Sequence, residues 1–141
     1  MTEEALSGHT RPPAVAGLFY PSDAAALRSL LTRLLEAAGT SGGAQPVRGM
    51  IVPHAGYEYS GPIAASAYQR AAGAGVERVL LLGPAHRVPF SGLAACSYSS
   101  YRTPLGDMPL DRSAPDALER DRQVTVLDEA HALEHSLEVQ V

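Results

Sequence analysis

Two stretches of the sequence end an apolar run on a histidine. In "IVPHAGYEYSGP", residues 51 to 62, two β-branched residues lead into a Pro-His-Ala-Gly turn that carries His54. In "VLLLGPAHRVP", residues 79 to 89, a second apolar run stops at Gly83-Pro84 and His86 follows. Neutral imidazole ligates zinc, copper or iron, and two histidines with one further ligand leave positions open for a substrate. The competing reading makes both of them loop histidines that bond nearby carbonyls. Pro53, Gly56, Gly83 and Pro84 favour the functional reading, because they shape a tight turn that a plain connector does not need.

A third group lies near the end of the sequence. In "DEAHALEHSLEVQV", residues 128 to 141, His131, His135 and Glu138 are spaced i, i+4, i+7 and share one face, while Leu133, Leu137 and Val141 share another. As a helix this segment is apolar on one side and offers ligands or proton carriers on the other; the alternative is a solvated face. Tyr57, Tyr59, Tyr98 and Tyr101 can line a substrate pocket with hydroxyl donors or cap a core edge. Arg102 joins Tyr57 and Tyr59 as a pocket candidate, and can also pair with Asp107 or Asp111, which otherwise read as turn formers. Cys96, inside an apolar run, reads as core and not as a nucleophile.

The elements that position these groups follow from the apolar pattern. Ser22 caps a helix over about 23 to 38, with Leu27, Leu30, Leu31, Leu34 and Leu35 on one face and Gly39 as its stop. "VRGMIV" (47 to 52) reads as a strand buried on both faces, Ser60-Gly61-Pro62 opens an Ala-rich helix to about Ala72, and "VERVLLL" (76 to 82) forms a second buried strand. Strand, helix and strand in that order make a βαβ unit with parallel strands. Both histidines then emerge at the same sheet edge, where open α/β folds bind ligands, roughly 5 Å apart if the strands are neighbours. Further on, "GLAAC" and "QVTVL" read as strands, "SYSSYRTPLGDMPLD" as a long loop turning at Pro104 and Gly106, and Ser113 to about Arg120 as a short helix. The fold class is α/β, a parallel or mixed central sheet flanked by helices.

At 141 residues and 45% hydrophobic, the chain fits a single domain over 14 to 141. Residues 1 to 13 are polar with two closing prolines and read as a flexible arm, with His9 incidental. A net charge of -4 without a basic cluster argues against nucleic acid or an anionic membrane as a partner. One cysteine excludes an internal disulfide framework, and no signal segment or apolar run of spanning length is present, so the expected location is cytoplasmic. "AGAGVER" precedes a strand instead of following one, so it is no phosphate loop, and there is no Gly-x-Ser-x-Gly elbow. The final helix breaks off in mid-pattern at Val141, from which we expect the natural chain to continue. A sheet edge and apolar helix face left open in this way favour self-association.

Five segments in order, "VAGLFYP" (15 to 21), "VPHAGYEYSG" (52 to 61), "LLGPAHRVP" (81 to 89), "YRTPLGDMPLD" (101 to 111) and "EHSLEVQV" (134 to 141), resemble the Memo family, also called AmmeMemoRadiSam system protein B. The resemblance covers the first half or so of that family's length. It implies a fold similar to class III extradiol dioxygenases, with a metal, iron or copper before zinc, at the end of a central sheet. It carries metal-ligand roles onto His54 and His86 and places His135 near the pocket; in our own reading of the site His135 or Glu138 serves as proton carrier or as a polar group of the pocket. The family's third ligand, a cysteine or in the dioxygenases a carboxylate, belongs to a later segment, and Cys96 does not match it. Three readings follow: a non-haem metal-dependent oxidoreductase of unknown substrate; a non-catalytic metal- or peptide-binding module acting with radical-SAM pathway proteins; or a truncated, inactive fragment. The ligand is a small molecule or a peptide.

Overall fold

The computed structural model describes residues 9–39, 47–72, 74–111, 113 and 124–141. The chain is mixed α/β, as expected. Strand β1 (Thr10–Arg11) is followed by helix α1 (Ala24–Ala38) and helix α2 (Tyr57–Ala71). Strands β2 (Leu93–Ala95), β3 (Ser100–Thr103), β4 (Gly106–Pro109) and β5 (Val124–Val126) come next, then a one-turn helix α3 (Glu129–Ala132) and a 3-10 turn over Glu138–Gln140. One sheet has the order β1-β3-β4, with β1 parallel to β3 and β4 antiparallel to it; the other pairs β2 with β5 in parallel.

Helix α1 follows the leucine pattern. Its N-cap is Asp23, one residue after Ser22, and the Asp23 carboxylate accepts from the Ala26 N–H at 2.8 Å. Gly39 ends the helix at φ 64°, a conformation that favours glycine. Leu27 is buried, with Leu31 packed beside it. Helix α2 starts at Tyr57, three residues before the expected Ser60. The Tyr57 N–H is bound by the Phe19 carbonyl at 2.7 Å, and the Ser60 hydroxyl turns back to the Ala55 carbonyl at 2.8 Å, so the first turn is fixed from outside. Pro62 is thereby enclosed in the helix at the loss of one backbone bond. A Cβ on Gly61 would lie 2.8 Å from Leu34 Cδ1, so the two helices meet where only glycine fits. Val15, Tyr20, Leu27 and Val139 form the core, which joins residues 14 to 20, both helices and the 3-10 turn.

Four expectations are corrected. Residues 47 to 52 and 76 to 82 are not strands: they pair with nothing among the described residues, and Ile51 and Leu80 are 103% and 71% exposed. Apolarity on both faces predicts burial, but a strand also needs a hydrogen-bonded neighbour, and the βαβ ladder is not formed. Residues 128 to 141 are not one helix, because the Glu134 carboxylate captures the N–H groups of His135 and Ser136 at 2.8 and 2.9 Å and draws them out of a helical path. The loop around Tyr101 is a hairpin, β3–Pro104–Leu105–β4, in which Thr103 faces Gly106. Residues 9 to 13 are not an arm, since Thr10 and Arg11 pair with β3 and Arg11 is wholly buried. The strands expected at "GLAAC" and "QVTVL" are β2 and β5. Residues 1 to 8 and most of the helix expected from Ser113 to Arg120 lie outside the described residues. Among the described residues, no helix is long and apolar enough to cross a membrane.

Candidate metal centre

His54 follows the segment 47–53, which is neither helix nor strand, three residues before α2; His86 follows 76–85; His135 sits between α3 and the 3-10 turn. The three converge. One nitrogen from each lies within 4.8 Å of the others. Ring centroids are 5.3 Å apart for His54 and His86, 5.8 Å for His54 and His135, and 4.5 Å for His86 and His135, the last pair stacked. In a tetrahedral site with Zn–N bonds near 2.1 Å, ligand nitrogens stand about 3.4 Å apart. Small side-chain rotations close that difference, and a set of three imidazoles suits zinc, copper or iron.

The local sequence explains the convergence. Gly83 allows the segment before His86 to lie against residues 136 and 137: a Cβ there would be 2.8 Å from Ser136 Oγ and 2.9 Å from Leu137 Cδ2. The Ser136 hydroxyl donates to the Pro84 carbonyl at 2.8 Å, and the Gln140 side-chain amide donates to the Pro53 carbonyl at 3.0 Å. Residues 136 to 140 thus hold both histidine-bearing segments. Phe19 packs on the His135 ring at 4.7 Å between centroids.

Glu134 orients the cluster. Its carboxylate accepts from the His86 backbone N–H at 2.6 Å and meets His86 Nδ1 at 2.9 Å, besides the N–H groups of His135 and Ser136. Burial works against the ionised form of Glu134, but the hydrogen bonds from His86, Ser136 and His135 outweigh it and bring its pKa down to about 2. An ionised carboxylate only accepts, so His86 Nδ1 carries the proton and Nε2 is left as the donor atom. His135 titrates below the usual histidine range: burial disfavours its cation, and His86, His54 and Arg87 add to that effect against the opposing pull of Glu134. A neutral imidazole is the form that ligates.

The remaining expected residues are elsewhere. Glu138 is 2% exposed, and its carboxylate accepts from Arg11, the N–H groups of Ala14 and Val15 at 2.8 and 2.9 Å, and the Tyr20 hydroxyl at 2.6 Å. With its acceptor sites filled by structural donors, it is a tether and not a proton carrier. His131 does not share a face with His135. The Ala94 carbonyl takes its Nε2–H at 3.0 Å, and its Nδ1 accepts from the Tyr101 hydroxyl at 3.0 Å. Arg102 lies on the hairpin and forms a two-point pair with Asp107 at 2.9 and 3.1 Å. The Tyr57 hydroxyl donates to the Val139 carbonyl at 3.0 Å, so it closes the core, and Tyr59 is 78% exposed. Cys96 is half-buried.

Sequence reasoning missed Glu134, Arg11 and Ser136. Glu134 carries one signal, its place directly before His135, but its main partner His86 lies 48 residues away. Arg11 carries none, since nothing about a lone arginine between a threonine and two prolines foretells burial. It donates to the carbonyls of His131 and Glu134 and to the Glu138 carboxylate, and so fixes the course of the segment that carries His135.

The structure therefore defines a mixed α/β protein with three converging histidines, two of which, His86 and His135, are bound by one buried carboxylate. The family profile described as Memo-like protein matches residues 11–141, and the chain belongs to that family. It is 38% identical over 142 residues to the memo-1 homolog of Caenorhabditis elegans, covering 100% of this chain and 40% of that protein. It is 39% identical to a MEMO1 family protein of Methanopyrus kandleri and 40% identical to one of Methanothermobacter thermautotrophicus, in each case over 93% of this chain and 50% of the relative. The chain thus spans half or less of the length of these relatives.

Proposed function

We propose that the protein binds one transition-metal ion, iron or copper before zinc, through His54, His86 and His135. The observation that carries this reading is the approach of three imidazole nitrogens to within 4.8 Å of one another, with Glu134 fixing the tautomer of His86. Such an ion, when bound, supplies Lewis acidity and, as iron or copper, one-electron chemistry. Three protein ligands leave coordination positions for a small oxygen-bearing molecule or O2, an arrangement that suits a metal-dependent oxidoreductase. Within it, Glu134 holds the His86 Nδ1 proton and orients the ring, while Phe19 covers one side of His135 and limits water there. In this reading His135 takes the ligand role, one of the two that the sequence left open for it, and not that of proton carrier.

The test is elemental analysis of the metal-reconstituted protein beside single alanine variants of His54, His86 and His135. About one ion per chain in the wild type, lost in each variant with circular dichroism unchanged, is the expected result. Full retention in any variant overturns that residue's assignment. A second reading, a metal-holding module without turnover, rests on the same three histidines. Oxygen consumption by the metal-loaded protein with catechol-type compounds separates the two.

A further inference from the structure

Glu134 reaches the rings of two of the three histidines: its carboxylate meets His86 Nδ1 at 2.9 Å and His135 Nδ1 at 3.2 Å. The His54 ring forms no hydrogen bond or ion pair among the described residues, so its place is set through its backbone. That backbone is clamped on both sides. The Ala55 carbonyl accepts from the Ser60 hydroxyl at 2.8 Å, and the Pro53 carbonyl accepts from the Gln140 side-chain amide at 3.0 Å. The second bond carries more. The ring of Pro53 locks φ at about −65°, which leaves ψ as the one soft dihedral before the planar peptide to His54. Holding the Pro53 carbonyl oxygen therefore holds the His54 Cα.

Gln140 is itself oriented. A carbonyl only accepts, so the amide N–H₂ faces Pro53 and the amide oxygen is left to Tyr68, whose hydroxyl donates to it at 2.9 Å. Burial pushes the Tyr68 phenol up, which keeps the proton on this donor. Tyr68 and Ser60 both belong to α2, so one helix governs both carbonyls that flank His54. We infer that Gln140, oriented by Tyr68, is the positioning residue for His54, as Glu134 is for His86. The consequence for binding rests on the metal reading, whereas the position of the His54 ring is measurable without an ion.

Gln140→Met keeps the length of the side chain and removes the amide, Tyr68→Phe removes the hydroxyl, and a third variant combines them. Histidine-ring proton–carbon spectra of the metal-free proteins are compared with the wild type at about pH 8, where imidazole is neutral. The His54 signal, assigned by its loss in His54→Gln, is expected to move in all three variants while the His131 signal stays in place. An unmoved His54 signal overturns the inference, as does an equal shift of every ring signal. After reconstitution with copper, chelator competition is expected to show about a tenfold loss of affinity in Gln140→Met and a smaller one in Tyr68→Phe, with one ion per chain retained. The combined variant is expected to match Gln140→Met, because Tyr68 acts through the amide; losses that add overturn that link. An unaltered affinity in Gln140→Met overturns its part in the metal centre. A wild type that takes up no copper sinks the metal reading instead, and the ring spectra then decide the role of Gln140 by themselves.

Discussion

Glu134 grips His86 at two points, the backbone N–H at 2.6 Å and the ring Nδ1 at 2.9 Å, across a sequence gap of 48 residues. A carboxylate behind a ligating histidine sets its tautomer and basicity, and losing such a partner weakens metal binding by about 10- to 100-fold. Glu134→Gln keeps the size but turns an amide N–H₂ toward a site that holds only donors. Metal affinity by chelator competition is expected to fall within that range with stoichiometry unchanged; an unaltered affinity would remove Glu134 from the centre.

Arg11 and Glu138 form an ion pair inside the protein, their side chains 0% and 1% exposed. Truncating one partner of a buried pair costs about 3–5 kcal/mol, because the other charge stays behind. Glu138 retains the donors of Ala14, Val15 and Tyr20, which puts Arg11→Met near the lower end. Urea unfolding of Arg11→Met is expected to show that loss; a loss under about 1 kcal/mol would mean that the pair contributes little.

His131 is held below the usual histidine range chiefly by burial, with Arg11 acting the same way and the Ala94 carbonyl, Asp128 and Glu134 acting against it. The folded protein thus binds fewer protons at this site than the unfolded chain. The stability that His131 contributes is complete above about pH 6.5 and declines as the pH falls below it, by at most about 1.4 kcal/mol per pH unit. Unfolding free energies between about pH 7 and 5.5 are expected to slope less in His131→Gln than in the wild type. Equal slopes would show that His131 takes up its proton as readily in the folded protein as in the unfolded chain.

Much of the site could be read from the sequence, and less of the fold. His54 and His86 stand out because each ends an apolar run beside glycine and proline, and those turns bring them together even though the strands expected before them are not formed. His135 was legible as a member of the group, but its role was not, since a helical repeat puts it beside His131 and Glu138, and Glu134 breaks that helix. Helix α1 was legible because its pattern is local. Arg11 was misplaced because its burial depends on partners far along the chain, which no local pattern encodes.

Gly83 is where the His86 segment touches residues 136 and 137, and a methyl group there meets Ser136 Oγ at 2.8 Å. Gly83→Ala is expected to push the two segments apart and to lower metal affinity severalfold. Gly75→Ala is the control: its φ of 65° strains the substitution, but nothing lies within 4 Å and it is no part of the cluster. Equal affinities for the two variants would show that the contact at Gly83 does not set the histidine spacing.

Arg102 and Asp107 pair in solvent on a hairpin, where such contacts contribute little. Arg102→Ala is therefore expected to leave both metal affinity and melting temperature unchanged. A clear loss of affinity would return Arg102 to the pocket in which the sequence first placed it.

The tether between Arg11 and Glu138 joins residues 127 positions apart. At ribosomal speeds of about 5–20 residues per second, Arg11 waits on the order of ten seconds before its acceptor has been made. Helices α1 and α2 can form in that interval, but the polar knot at the centre closes only after nearly all of these residues exist. The order of synthesis and the order of folding thus run opposite ways at this point, and the newborn N-terminal segment spends its first seconds without the partner that later buries it.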